Sequence, residues 1–563
     1  MDQSKSNPAF WLMPSLTDVA FLMPVVFLFT RLDGLRSLLE DGDTGFHIRA
    51  GDWIRTHGQV PHVDIFSFTM PGQPWFAWEW LWDVGASFVH EKWGLGGVAL
   101  VNLFLICLTF ALLYRLVSRR CQNPIVSIGL TVLAAAGSTI HWLARPHLVT
   151  LLLTVIFMAI LERVRGGKTA LLWWLPVLTV LWTNLHAGFI VGIVLLAACG
   201  AGFLLRAAVA AEPRERSEAG RGSVPYFAAA AGCLAASLVN PYFYNLHVHI
   251  AKYLGDPYAM NNIVEFQSAN FHHGAAGFLE IMLVLGLAAA GWFALRRQFT
   301  EALLVAVWAH GALIAARNIP IFMIVAAPVV AAAMVEWGQR LQNAPIARWL
   351  PSLAARFAEI ADELVPIERI TRLHVVSAAV LIAIGIAMGS AGAGVKLQAQ
   401  YDPARYPEKA LAMIQPSQRV FTDDEWGDYL IYRLSPAGLK VYVDGRSDFY
   451  GEKFSQAYLN VLNVKFDWEK DLRRYGVDTI LLPVAAPLAG AVKESRNWRV
   501  VYDDGSAIVF RPVALAAAHG QQISTGSHSG YGSGREGRGG NVMRSRSILT
   551  EIVKFKLMEE EAI

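Results

Sequence analysis

The stretch HWLARPHLVTLLLTVIFMAILERVRGGK, residues 141–168, holds the plan of the chain in miniature. Its middle is an apolar run centred on Val155. Arg163, Arg165 and Lys168 close one end. The other end is a short polar turn with a single cation, Arg145. An apolar run of about 18–22 residues is long enough to cross the hydrocarbon core of a bilayer as a helix. Similar runs recur on both sides of this one. Their centres lie near Val25, Leu105, Leu133, Val155, Leu178, Leu195, Ala230, Leu285, Val307, Ala326 and Ile382. The chain therefore reads as a polytopic α-helical membrane protein with about 11 transmembrane helices.

Composition agrees. Of 563 residues, 54% are hydrophobic and 17% charged, against about 25% charged in an ordinary soluble domain. A net charge of +3 is too small to point to nucleic acid. Cys107, Cys121, Cys199 and Cys233 fall in or beside apolar runs without a Cys-x-x-Cys pair, which predicts packing residues. The first run, near Val19 to Phe29, is not followed by a small-residue cleavage site and reads as a retained helix.

Short-loop charge sets the orientation. Arg115, Arg119 and Arg120 fall in one set of loops, with Arg163, Arg165, Lys168, Arg206, Arg214, Arg216, Arg221, Arg296 and Arg297. The alternate loops hold little beyond Arg145, Lys252 and Arg317. The basic set is predicted cytoplasmic, which puts the N-terminus inside. A long first loop (35–94) and a C-terminal segment (396–515) then lie outside. That segment reads as a small α/β domain, with strands at 419–423, 440–444, 479–483, 498–502 and 507–510 and a hairpin at Asp503-Asp504-Gly505. Residues 516–563, rich in Gly, Ser and Arg, are predicted disordered.

The residues able to do chemistry fall on the outside. The first loop opens Asp41-Gly-Asp43-Thr-Gly-Phe-His47-Ile-Arg49. Two carboxylates one residue apart suit a divalent cation or a base beside one; solvation or helix capping would explain them too. Trp75, Phe76, Trp78, Trp80 and Trp82 suit an amphipathic helix in the interface. Arg145 and Arg317 depart from the sparse charge of their side. A guanidinium suits phosphate or carboxylate, although a structural ion pair is an equal reading. Asn184, His186 and Asn240 read as helix caps as readily as site residues. Glu265 is the central carboxylate of the long loop after the seventh helix. Trp426 and Asp428, with the run 443–451, stand where strands enter turns, a usual place for binding groups.

This layout resembles the GT-C superfamily of membrane glycosyltransferases, and within it the catalytic subunit of oligosaccharyltransferases. The resemblance spans about residues 15 to 512. Asp41 to Arg49 resembles that family's first acidic motif. Ile263-Val-Glu265 resembles its external-loop motif, which ends in a metal-linked Glu, and Glu425-Trp426-Gly-Asp428-Tyr429 loosely resembles its acceptor-recognition motif. The resemblance implies a GT-C-like transmembrane domain at 1–395. It implies a glycosyltransferase that takes a sugar from a polyprenyl phosphate or diphosphate and passes it to a lipid, glycan or protein acceptor at the extracytoplasmic face of a bacterial inner membrane. Asp43 would be the base, with Asp41 and Glu265 assisting. Arg317, Arg145 and His47 would hold the donor phosphate, and Trp426 and Asp428 the acceptor. A divalent cation, magnesium or manganese, would sit on Asp43 and Glu265. The resemblance breaks at one place. The family carries a second acidic pair in the external loop after the third helix; here that loop, 141–147, has no carboxylate. His141 or His147 would have to serve as ligand, or Arg145 take over the phosphate charge. Two other classes compete: a transporter or flippase, which expects mid-membrane polar sites and a repeat, and a non-catalytic scaffold for envelope assembly.

Overall fold

A computed structural model describes residues 9–272, 276–345, 347, 349–390 and 394–513. The expected tail at 516–563 lies outside the described residues. A helix covers each of the eleven expected centres. Six are long and apolar enough to cross a membrane: Trp80–Cys121, Pro124–His141, His147–Arg165, Ala187–Val209, Ala276–Ala294 and Ala316–Gln342. Four are apolar but shorter: Leu16–Thr30, Thr169–Leu185, Phe299–Ile314 and Val375–Met388. The helix over Ala230, Pro213–Ala236, meets neither description, because Arg214, Glu215, Arg216, Glu218 and Arg221 load its first half with charge.

Apolar side chains cover both the inside and the outside of the bundle. Ala316–Gln342 is its centre, with Phe322 through Ala327 fully buried against Pro124–Ser138, Ala276–Ala294 and Phe299–Ile314. On the outer helices Ile281, Val284, Leu287, Ile382 and Ile386 are each more than half exposed. Water would penalise that surface, whereas lipid does not. With six such helices, the chain is built as a membrane protein. All four cysteines are buried and unpaired, as packing residues are.

The first loop is more structured than expected. A 3-10 turn, Gly34–Leu39, leads through Asp41 into the helix Asp43–His57. Gly94, at φ 62°, breaks Trp80–Cys121 so that its first turns diverge from the crossing portion. The Trp-rich run does not form the expected interfacial helix. Residues 75–78 are not helical, and Trp75 and Trp82 are buried in protein. Phe88 and Trp93, further on, are the exposed aromatics.

The C-terminal segment carries a four-stranded sheet of β1 (Val420–Phe421), β2 (Thr479–Pro483), β3 (Trp498–Asp503) and β4 (Ala507–Pro512), in the order β1-β2-β4-β3. β1 and β2 are parallel, and β3 and β4 form the expected hairpin. The expected strand at 440–444 shrinks to bridges. Val441 pairs with Val420 on one side and with Ser67 of the first loop on the other. A buried clasp joins the same two regions. Both oxygens of Asp444 accept from Arg446 at 2.7 Å, and Asp64 Oδ1 accepts from it at 2.8 Å. The guanidinium lies 4.6 Å from the Trp75 ring. The run 443–451, expected to offer binding groups, thus spends Asp444 and Arg446 on holding the first loop.

Candidate active site

The Asp41–Asp43 pair is fixed by its own backbone. The Asp43 N–H donates to Asp41 Oδ1 at 2.8 Å, and the helix starts at Asp43, where a negative charge is favoured. The 142–146 turn is pinned beside it. Ala144 donates its N–H to the Leu38 carbonyl at 2.7 Å, and the Thr44 hydroxyl donates to the Ala144 carbonyl at 3.1 Å. Arg145 then reaches three acids at once. One terminal nitrogen lies 2.7 Å from Asp41 Oδ2 and 3.1 Å from Glu265 Oε1; the other lies 2.7 Å from Asp43 Oδ2. Glu265 arrives on the turn Val264–Phe266. Arg317, on the turn Ala316–Asn318, stacks over Phe266 with its guanidinium carbon 4.6 Å from the ring centroid. The Ala316 N–H to Gln267 carbonyl bond, 2.8 Å, holds the two turns together.

Charge follows from burial and neighbours. Burial pushes the Asp43 carboxyl up, against the pull of Arg145, to about 6. Burial opposes charge on Glu265 as well, but Arg145, His141 and Arg317 outweigh it and hold that carboxyl far below the usual range. Arg145 loses solvation, yet Asp41, Asp43 and Glu265 more than compensate and raise its affinity for its proton.

Asp428 closes the site from the C-terminal segment. It is 1% exposed. Its Oδ2 accepts from the Gly445 N–H at 3.0 Å, while its buried Oδ1 has no hydrogen-bond partner. Burial and then the charge of Asp43 raise its carboxyl well above the ordinary value. Gly445 permits this approach: a Cβ there would lie 2.2 Å from Asp43 Oδ1 and 2.7 Å from Asp428 Oδ2. Trp426, two residues earlier on the same helix, is buried and donates its ring N–H to the Arg405 carbonyl at 2.9 Å.

His47 faces a different group. Its Nδ1 lies 2.7 Å from Asp83 Oδ1, and its Nε2 lies 3.7 Å from Glu79. Burial lowers its proton affinity. Glu79 sits between two imidazoles, with His186 Nε2 at 3.5 Å on its other side. His186 Nδ1 accepts from the Gly188 N–H at 3.0 Å, so its proton is on Nε2, the side of Glu79. Burial, opposed by His47, pushes the Glu79 carboxyl up to about 7.

The structure thus brings Asp41, Asp43, Glu265, Arg145 and Asp428 together, with the charge of Arg317 acting on Glu265. It sets His47 with Asp83 and Glu79 and encloses Trp426 in the core. Sequence reasoning missed Glu79, Asp83 and Gly445. Glu79 and Asp83 stand inside the Trp-rich run, and the signal was their two charges within it. Gly445 carries no signal but its place after Asp444.

The implied divalent cation does not fit these donors. A hard cation needs about six oxygens around it. Here the carboxylates of Asp41, Asp43 and Glu265 converge on a guanidinium. Among the described residues no group of three or more His, Cys, Asp or Glu is arranged to hold a metal. His147 Nε2 is engaged by the His141 carbonyl at 2.6 Å.

No family model matches the chain, and no curated protein matches its sequence. The fold does have solved counterparts. It matches the oligosaccharyltransferase AglB from Archaeoglobus fulgidus, solved with an inhibitory peptide and a dolichol-phosphate, with a TM-score of 0.52 and 14% identity over 90% of this chain and 74% of that one. An apo form of an Archaeoglobus fulgidus oligosaccharyltransferase gives a TM-score of 0.48 at 13% identity, over 89% of this chain and 74% of that one. The chain therefore shares its fold with that AglB structure.

Proposed function

We propose that this chain is a membrane glycosyltransferase. It moves a sugar from a polyprenyl phosphate or diphosphate to a lipid, glycan or protein acceptor at the extracytoplasmic face of a bacterial plasma membrane. One observation carries the reading: Asp41, Asp43 and Glu265 meet on Arg145 beside Arg317, at an end of an apolar bundle. The shared fold supports it, since the AglB structure holds a dolichol-phosphate and a peptide.

Asp43 is the base of this mechanism. It takes the proton of the acceptor hydroxyl or amide as the acceptor atom bonds to the anomeric carbon. The bond from that carbon to the phosphate oxygen breaks, and the phosphate leaves with its charge on the lipid carrier. Arg317 meets that charge with a guanidinium that lies over the Phe266 ring. Arg145 keeps the acids in register. Asp428, whose hold on its proton burial and Asp43 strengthen, donates a hydrogen bond to the acceptor. Residues 396–515 act as the external acceptor-binding domain, and the loops with Arg115, Arg119 and Arg163 face the cytoplasm.

The test is to extract polyprenyl-linked sugars from membranes with and without the protein. A lipid-linked donor that accumulates in its absence supports the reading and names the substrate. Identical pools would exclude it.

A further inference from the structure

The Arg145 cluster has a consequence for metal use. A divalent ion in a site of this kind does two things: it neutralises converging carboxylates and holds them in fixed relation. Arg145 already does both. Its two terminal nitrogens contact Asp41 and Asp43 at 2.7 Å and Glu265 at 3.1 Å, three acids from two separate loops. Guanidinium–carboxylate hydrogen bonds are strong and directional, and they strengthen where water is scarce. The group cannot lose its charge, because the acids raise an already high proton affinity. The backbone that carries it is held: the Ala144 N–H is bonded to Leu38, the Ala144 carbonyl to Thr44, and Pro146 follows. A metal entering here would have to displace the guanidinium from all three of its partners. His147 Nε2 is spent on the His141 carbonyl, and among the described residues no group of three or more His, Cys, Asp or Glu is arranged to hold a metal. Arg317 is left to meet the phosphate.

We infer that Arg145 is the resident cation of this site, and that it lets the enzyme bind a polyprenyl phosphate and transfer its sugar without a divalent metal. The metal half of this inference stands on the cluster alone; the transfer half rests on the proposed function.

The experiment uses the full chain, purified and stripped with EDTA, with Mn²⁺ as the probe followed by electron paramagnetic resonance. Wild type takes up no Mn²⁺ at concentrations up to tens of micromolar. Arg145→Ala, which leaves three acids without their cation, gains one site, and adding Glu265→Gln removes it. A wild-type site abolished by Glu265→Gln overturns the inference, and so does a folded Arg145→Ala that binds none. If that variant does not fold, Arg145→Gln takes its place. A second measurement needs only wild type: the affinity for undecaprenyl phosphate in EDTA and in Mg²⁺. Equal affinities within twofold agree with Arg145 as the cation, and a tenfold loss in EDTA contradicts it. Failure to bind this lipid under both conditions would count against glycosyl transfer and leave the Mn²⁺ result to decide the metal question.

Discussion

At Asp43 one carboxylate oxygen meets Arg145 while the other edge of the side chain lies against Asp428 and the bare backbone of Gly445. Burial, opposed by Arg145, brings its pKa up to about 6. A base works when ionised, so the rate of transfer should fall as pH drops through about 6 and level off above it. Glu79, pushed up to about 7, is another acid close by whose titration falls in this range. In Glu79→Gln the acid limb near 6 should persist; a limb that disappears with Glu79 would assign the base there instead. Gly445→Ala would force a methyl into the gap between the two carboxyls and should cost about 1–3 kcal/mol of stability, together with most of the activity. Full activity in that variant would mean that the approach of Asp43 and Asp428 is incidental. Asp41, Asp43, Arg145 and Glu265 stood out in sequence because Arg145 is an isolated cation in sparsely charged loops and the three acids fall in runs that resemble acidic motifs. Glu79 and Asp83 did not. They meet His47 and His186 only after the chain folds, with Asp83 36 positions from His47.

Between elements, the first loop and the C-terminal segment are joined by the Arg446 clasp. Asp64 and Asp444 have fully buried side chains, and Arg446 is their common partner. Arg446→Ala would strand two buried carboxylates and should cost about 3–5 kcal/mol. Arg446→Lys should recover only part of this, since an ammonium cannot reproduce the bidentate contact with Asp444. Thermal unfolding of the purified protein checks both; an unchanged melting temperature in Arg446→Ala would remove the clasp from the fold's supports. The sequence predicts a strand at 440–444, but only Val441 forms bridges, to Val420 and Ser67. One of those neighbours comes from the first loop, and no local pattern announces such a partner. The Trp-rich run misled for a similar reason. Its aromatics face Arg446, His249 and Tyr242 in protein, where an interface had been expected.

Over the whole chain, apolar runs specified helices at every expected centre, and the fold of an archaeal oligosaccharyltransferase is shared at 14% identity. Lipid-facing positions accept any apolar side chain, which lets sequence diverge while the bundle stays. Among the described residues, helix length and charge restrict the count of clear spans to six, with four shorter apolar helices beside them. Periodicity alone does not weigh those charges. The acids gather on Arg145 at one end of His147–Arg165, and Arg163 stands at the other. The proposed role of Asp43 in glycosyl transfer from a polyprenyl carrier can be read in the polyprenyl-linked sugar pools of membranes carrying wild type, Asp43→Asn or no copy of the protein. Asp43→Asn, present at wild-type abundance, should accumulate the same donor to the same extent as the membrane lacking the protein. A donor pool in Asp43→Asn equal to wild type would contradict that role.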